Sequence, residues 1–206
     1  LDTGIYIYDS DGVTVEGTDA SSNGNIGLNL VNSIYGTVSN STFNWNSDGV
    51  YVSQNSEHGQ SFTINGCRLE NNTDRGLIGY GGLWAIIRGN HFANNLGYGL
   101  HLDASTDTWI IVNNTFLNNA GIAGIDRYAY QCYDYGYHND WNYNDGNGIT
   151  GNGWSHLPNL DVNEDGYVDL PVYVLGSGYH YDQMPYGPKI EGPSAPTDLS
   201  FELTPY

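Results

Sequence analysis

The stretch IIVNNTFLNN, Ile110–Asn119, decides how the chain is read, because it recurs. IIRGNHFANN (Ile86–Asn95), TINGCRLENN (Thr63–Asn72) and TVSNSTFNWN (Thr37–Asn46) are the same phrase. Its apolar position is held by Ala20, Phe43, Leu69, Phe92, Phe116 and, next in line, Trp141. Three residues further on stands Asn23, Asn46, Asn72, Asn95, Asn119 or Asn144. A glycine and an apolar residue then open an alternating run: Gly4-Ile5, Gly27-Leu28, Gly49-Val50, Gly76-Leu77, Gly99-Leu100 and Gly124-Ile125. Self-similarity at a period of roughly 20–30 residues marks a solenoid, whose units bury their apolar faces only by stacking.

The units are strands. GIYIY, GLNLV, GVYVS and GLHLD alternate apolar and polar residues from their second position, the period of a half-buried strand. Val13 and Val15, Ile64, Ile86 and Ile111 mark a second strand in each unit. No helical periodicity interrupts them, which excludes repeats that carry helices. The expected fold is all-β: a right-handed parallel β-helix of about six coils with a C-terminal cap. The recurring Asn is expected to turn a corner, adopt left-handed dihedrals and bond its counterpart one coil away.

Composition narrows the partners. In 206 residues, Asp plus Glu number 23 against 5 Lys plus Arg, a net charge of -18. That balance excludes a nucleic-acid partner, which requires a basic footprint. It suits divalent cations or a neutral sugar in an extracellular setting. The 18 Tyr and 5 Trp argue against disorder. No apolar run reaches the ~20 residues of a membrane span. Cys67 and Cys132 fall in different coils, and no disulfide is expected between them.

The phrases NNTFLNNAGIAGI and GNHFANNLGYGLHL resemble the parallel β-helix repeats of the NosD-like family, common in archaeal surface proteins. The resemblance spans about Gly4 to Ile149. It implies the solenoid and a surface or extracellular location. The family's namesake is linked to copper, for which one Met and two separated Cys offer little. Residues after Ile149 resemble the acidic tail that follows such helices. The organisation expected is a β-helix over 1–149, a cap over 150–190, and a linker over 191–206. Within that linker, APTDLSFELT resembles the first strand of a fibronectin-type-III-like module.

Three places carry candidate chemistry. In DVNEDGYVD, Asp161, Asn163, Asp165, Tyr167 (through its carbonyl) and Asp169 have the spacing that wraps Ca²⁺. Val172 stands where a closing Glu belongs, so a further ligand, Asp145 or Asp182, is needed. The plain alternative is an acidic turn. The second place is the outer face of the first strand. One outward column is expected to read Tyr6, Asn29, Tyr51, Ile78, His101, Asp126. Its neighbour reads Tyr8, Val31, Ser53, Tyr80, Asp103, Tyr128, with Arg127 turned out between them. Asp103, Asp126 and His101 are the catalytic candidates, since two close carboxylates suit glycoside cleavage and a His or Tyr suits a lyase. Tyr51, Tyr80, Arg127 and Tyr128 are the substrate-binding candidates. The third place is the aromatic run from Asp126 to Asp145, either a sugar-site lining or a cover for the end of the helix.

The expected protein is an extracellular module that binds polysaccharide or a surface glycan on this face. In its enzymatic form it is a polysaccharide lyase or glycoside hydrolase; Ca²⁺ holds the cap. The alternative is a structural surface protein, an S-layer, sheath or filament subunit, partnered by copies of itself or by neighbouring surface domains.

Overall fold

The computed structural model describes residues 2–54, 61–82, 84–120, 131–144, 149–154, 172–176, 180–182 and 185. All regular structure among them is β strand, in stacked coils. The first sheet stacks six parallel strands in chain order: Thr3–Tyr8, Ile26–Val31, Asp48–Ser53, Leu77–Tyr80, Leu100–Leu102 and Cys132–Asp134. The second stacks Thr14–Glu16, Thr37–Ser39, Phe62–Asn65, Ala85–Arg88 and Ile110–Val112. The third stacks Arg68–Glu70, His91–Ala93, Thr115–Leu117 and Gly153–Trp154, and single bridges at Asp19 and Thr42 extend it to earlier coils. The chain visits the three sheets in turn and returns one coil higher, making a β-solenoid of about 5 turns.

The repeated phrase builds one side of each coil. Val38, Ile64, Ile87 and Ile111 point inward from the second sheet, and Phe43, Leu69, Phe92 and Phe116 from the third. The Phe92 and Phe116 rings stack at 5.0 Å with planes 8° apart. Each such side chain, fully buried, contributes about 1.5–3 kcal/mol of transfer free energy, so the core is a sum over coils.

The Asn-Asn pairs divide two tasks between neighbours. The first residue takes the left-handed corner: Asn71, Asn94 and Asn118 have φ of 55°, 54° and 53°. The second turns inward and hydrogen-bonds one coil on. Asn46 N donates to Asn72 Oδ1 (2.9 Å), Asn72 N to Asn95 Oδ1 (3.0 Å) and Asn95 N to Asn119 Oδ1 (3.3 Å). The sequence expectation gave both tasks to the second Asn. A second ladder runs in parallel: Cys67 N to Asn90 Oδ1, Asn90 N to Asn114 Oδ1, Asn114 N to Asn152 Oδ1. It ends on a buried carboxylate, as Asn152 N donates to Asp182 Oδ2 at 2.7 Å. These ladders satisfy buried backbone N–H groups at corners where no sheet partner exists.

The repeated glycines have a different cause. A Cβ on Gly49 would lie 2.6 Å from the Gly76 carbonyl oxygen, and one on Gly76 the same distance from that of Gly99. Successive coils touch there, so no side chain fits.

Four expectations are corrected in register. The sixth strand of the first sheet is Cys132–Asp134, paired Leu100↔Cys132 and Leu102↔Asp134, not a strand opening at Gly124-Ile125. Phe116 continues onto Trp154, with rings 4.8 Å apart. Trp141 instead follows the second sheet, where Ile111 N donates to the Asp140 carbonyl. The Asn119 rung continues to Gln131 Oε1 (3.1 Å), not to Asn144. In the second sheet the buried residue is Ile87, and Ile86 faces out. A long insertion between Asn119 and Gln131 displaced the sixth coil from the spacing of the others.

Val172–Tyr173 and Tyr181–Asp182 form an antiparallel pair, and Leu175 bridges in parallel to Tyr133. Two buried carboxylates anchor this end. Asp134 Oδ2 accepts from the Trp141 indole N–H (2.8 Å), and Asp182 Oδ2 from that of Trp154 (2.8 Å).

Candidate functional site

The outer face of the first sheet carries an aromatic strip. Alternation turns Tyr51, Ile78, His101 and Tyr133 outward in one column, in register across four strands. Tyr80, Asp103 and Tyr135 follow two residues later, since Tyr135 N donates to the Leu102 carbonyl and Asp103 N to that of Gly79. The rings touch. Tyr51 and Tyr80 have centroids 5.4 Å apart, His101 and Tyr133 5.5 Å, and Tyr133 and Tyr135 4.3 Å. Tyr98 closes the group, 5.6 Å from His101 and 5.2 Å from Tyr133. Ile78 faces outward yet is only 1% exposed among these side chains. Tyr6 and Tyr8, at 6.3 Å and stacked, extend the aromatic character to the first coil.

A charged cluster borders the strip. The Arg75 guanidinium bonds both oxygens of Asp48, Nε to Oδ1 at 2.9 Å and Nη2 to Oδ2 at 3.3 Å. Its Nη2 also lies 2.9 Å from Asp74 Oδ2. Burial opposes the Arg75 charge, but Asp48 and Asp74 outweigh it and raise its pKa. Burial, helped by the Arg75 charge, pushes His101 below its ordinary 6.5. His101 is therefore neutral at pH 7, able to donate from one ring nitrogen and accept at the other.

Of the residues singled out in the sequence, Tyr51, Tyr80, His101 and Asp103 come together on this face. Asp126, Arg127 and Tyr128 lie outside the described residues. The next-coil neighbours of His101 and Asp103, the places expected for Asp126 and Tyr128, are Tyr133 and Tyr135. Asp103 Oδ1 accepts from the Ser105 backbone N–H at 2.8 Å and from the Ser105 hydroxyl, so this carboxylate fastens its own loop. The calcium candidates Asp161, Asn163, Asp165, Tyr167 and Asp169, and the possible further ligand Asp145, also lie outside the described residues. Asp182, the other possible ligand, is buried with its Oδ2 engaged by Asn152 and Trp154. Trp141, which the sequence set both at the repeat's apolar position and in the aromatic run, is a core residue.

The sequence reading missed Tyr98 and the Asp48–Arg75–Asp74 cluster, and it held Tyr133 and Tyr135 in the aromatic run without placing them in the outward columns. The signal for the tyrosines was available. Cys132-Tyr133-Asp134-Tyr135 alternates as Leu100-His101-Leu102-Asp103 does, and Tyr98 directly precedes a repeat glycine.

Residues 1–158 match the family model described as periplasmic copper-binding protein (NosD). The chain belongs to the NosD family. No curated protein and no solved structure matches it. The copper in the family's description can be tested against these residues. Among the described residues, no three His, Cys, Asp or Glu gather as a metal-holding group. Cys67 and Cys132 are free, buried thiols. Burial raises the pKa of both, and that of Cys132 well above its usual value, which opposes the thiolate form in which cysteine ligates copper. The described residues of this NosD-family chain do not fit copper, and no chemistry is derived through it. No helix among them is long and apolar enough to cross a membrane.

Proposed function

We propose that this NosD-family solenoid acts outside the cytoplasm as a glycan-binding module, holding polysaccharide along the outer face of its first sheet. The observation that carries this reading is two groups of touching rings on one sheet face, Tyr51 with Tyr80 and Tyr98 with His101, Tyr133 and Tyr135. Phenol rings in a row offer apolar faces to the C–H faces of pyranoses. Their hydroxyls, the neutral His101 and the Asp103 carboxylate supply polar contacts at the edges. The strip runs along the stacking axis, with like positions ~4.8 Å apart, so an extended chain can lie across several coils.

Binding without cleavage is the favoured form. Glycoside hydrolysis needs two carboxylates free to exchange protons or attack, whereas Asp103 is tied to Ser105. The family's description as periplasmic supports a location outside the cytoplasm.

The test is affinity electrophoresis through gels containing soluble polysaccharides, with Tyr80→Ala and Tyr133→Ala beside the parent chain. Each ring is worth about 1 kcal/mol, or roughly fivefold in Kd. Retardation that both variants share with the parent at full strength would remove this face as the site.

A further inference from the structure

We infer that the aromatic face selects glycans by charge, taking neutral or amino-bearing chains and rejecting uronates and sulfated polymers. The inference rests on the glycan-binding reading above. Among the described residues, Arg75 is the cation beside the aromatic strip, and two of its three nitrogens, Nε and Nη2, are already engaged by both oxygens of Asp48 and by Asp74. Strong recognition of a carboxylate or sulfate is favoured by a cationic donor that is free to close on it. Here the protein supplies the carboxylates itself. Asp48 is buried, the Asp74 side chain is 49% exposed, and Asp103 stands in the outward column beside Tyr80.

The other candidate cation is His101, which touches Tyr98 and Tyr133 and lies within reach of the fields of Arg75, Asp103, Asp74 and Asp48. Its depressed pKa keeps it uncharged at neutral pH. A polyanion approaching this face meets a cation already paired with two carboxylates, and a chain of net charge -18 repels it at longer range. An amino sugar meets the opposite conditions. Its ammonium can lie over a tyrosine face and near Asp103 or Asp74.

The chain is applied, at low and at high salt, to an array of neutral, N-acetylated, amino, uronate and sulfated oligosaccharides. A Tyr80→Ala/Tyr133→Ala double variant runs in parallel. The expected hits are neutral, N-acetylated or amino glycans, lost in the double variant, with uronate and sulfated members at least ~tenfold weaker. Binding of amino glycans falls with salt and that of neutral ones does not. Hits among uronates or sulfates that depend on the two tyrosines would overturn the charge selection and leave the glycan face standing. Absence of any tyrosine-dependent hit would overturn the face itself, and this inference with it.

Discussion

Replacing Asn95 by Leu removes one rung of the inner ladder while keeping the number and branching of side-chain heavy atoms. Asn95 is 1% exposed. Its Oδ1 accepts from Asn72 N (3.0 Å) and Asn72 Nδ2 (2.9 Å). Its Nδ2 donates to the Leu69 carbonyl (2.9 Å) and to Asn119 Oδ1 (2.8 Å). The substitution strands two buried donors on Asn72, at about 1–3 kcal/mol each. The buried leucine offsets about 1–2 kcal/mol of that. At mid-range values the net loss is about 2.5 kcal/mol, a large part of the 5–15 kcal/mol that holds a typical domain. The control is the adjacent Asn94→Ala, which loses only a tolerance for φ of 54°, about 1–2 kcal/mol. Urea denaturation followed by tryptophan fluorescence and circular dichroism measures both. An Asn95→Leu loss no greater than that of Asn94→Ala would refute the ladder as a source of stability.

Three further outcomes are expected. Gly76→Ala sets a methyl 2.6 Å from the Gly99 carbonyl oxygen; it lowers stability by about 1–3 kcal/mol, and an unchanged urea midpoint would show that the coils can part at no cost. His101 has a pKa below 6.5 because of burial and Arg75. The fold therefore prefers the neutral ring, and this contribution is complete above about pH 6.5. It is lost as pH falls through the depressed value. NMR titration of the ring should give a midpoint below 6.5, His101→Gln should flatten that part of the stability profile, and a midpoint at or above 6.5 contradicts the assignment. For the acidic loop, calcium at a hundredfold excess over its Kd should add about 2.7 kcal/mol, a rise of roughly 5–10 °C in Tm. Asp161→Ala with Asp165→Ala should abolish the rise, and a parent chain indifferent to calcium and to chelator would dismiss the site.

The solenoid was legible because its causes are local and repeated. Phe43, Leu69, Phe92 and Phe116 share one position of the phrase, and that position faces the core in every coil. The sixth coil was not legible at its spacing, because the segment after Asn119 lengthens the circuit. Gly124-Ile125 imitates the repeat, whereas hydrogen bonding selects Cys132–Asp134. That choice moved the candidate site, setting Tyr133 and Tyr135 where Asp126 and Tyr128 had been expected. The Arg75–Asp48 pair was hidden for another reason. Its partners are 27 positions apart and meet only because one coil lies on the next. The division of work within Asn71-Asn72 and Asn94-Asn95 depends on backbone dihedrals, which composition alone does not reveal.

The contact between glycine and carbonyl oxygen from coil to coil has a consequence beyond packing. It leaves room for nothing larger than a hydrogen between successive coils at these glycines, so groups on the surface recur at the coil spacing. On the glycan-binding proposal, such a surface would measure an extended ligand by commensurability. A polymer whose own period matches a whole number of coils gains contacts with every unit, while one out of step loses them progressively with length. Discrimination would then grow with the number of coils, and lengthening the solenoid by duplicated units would sharpen selectivity without altering a single contacting residue.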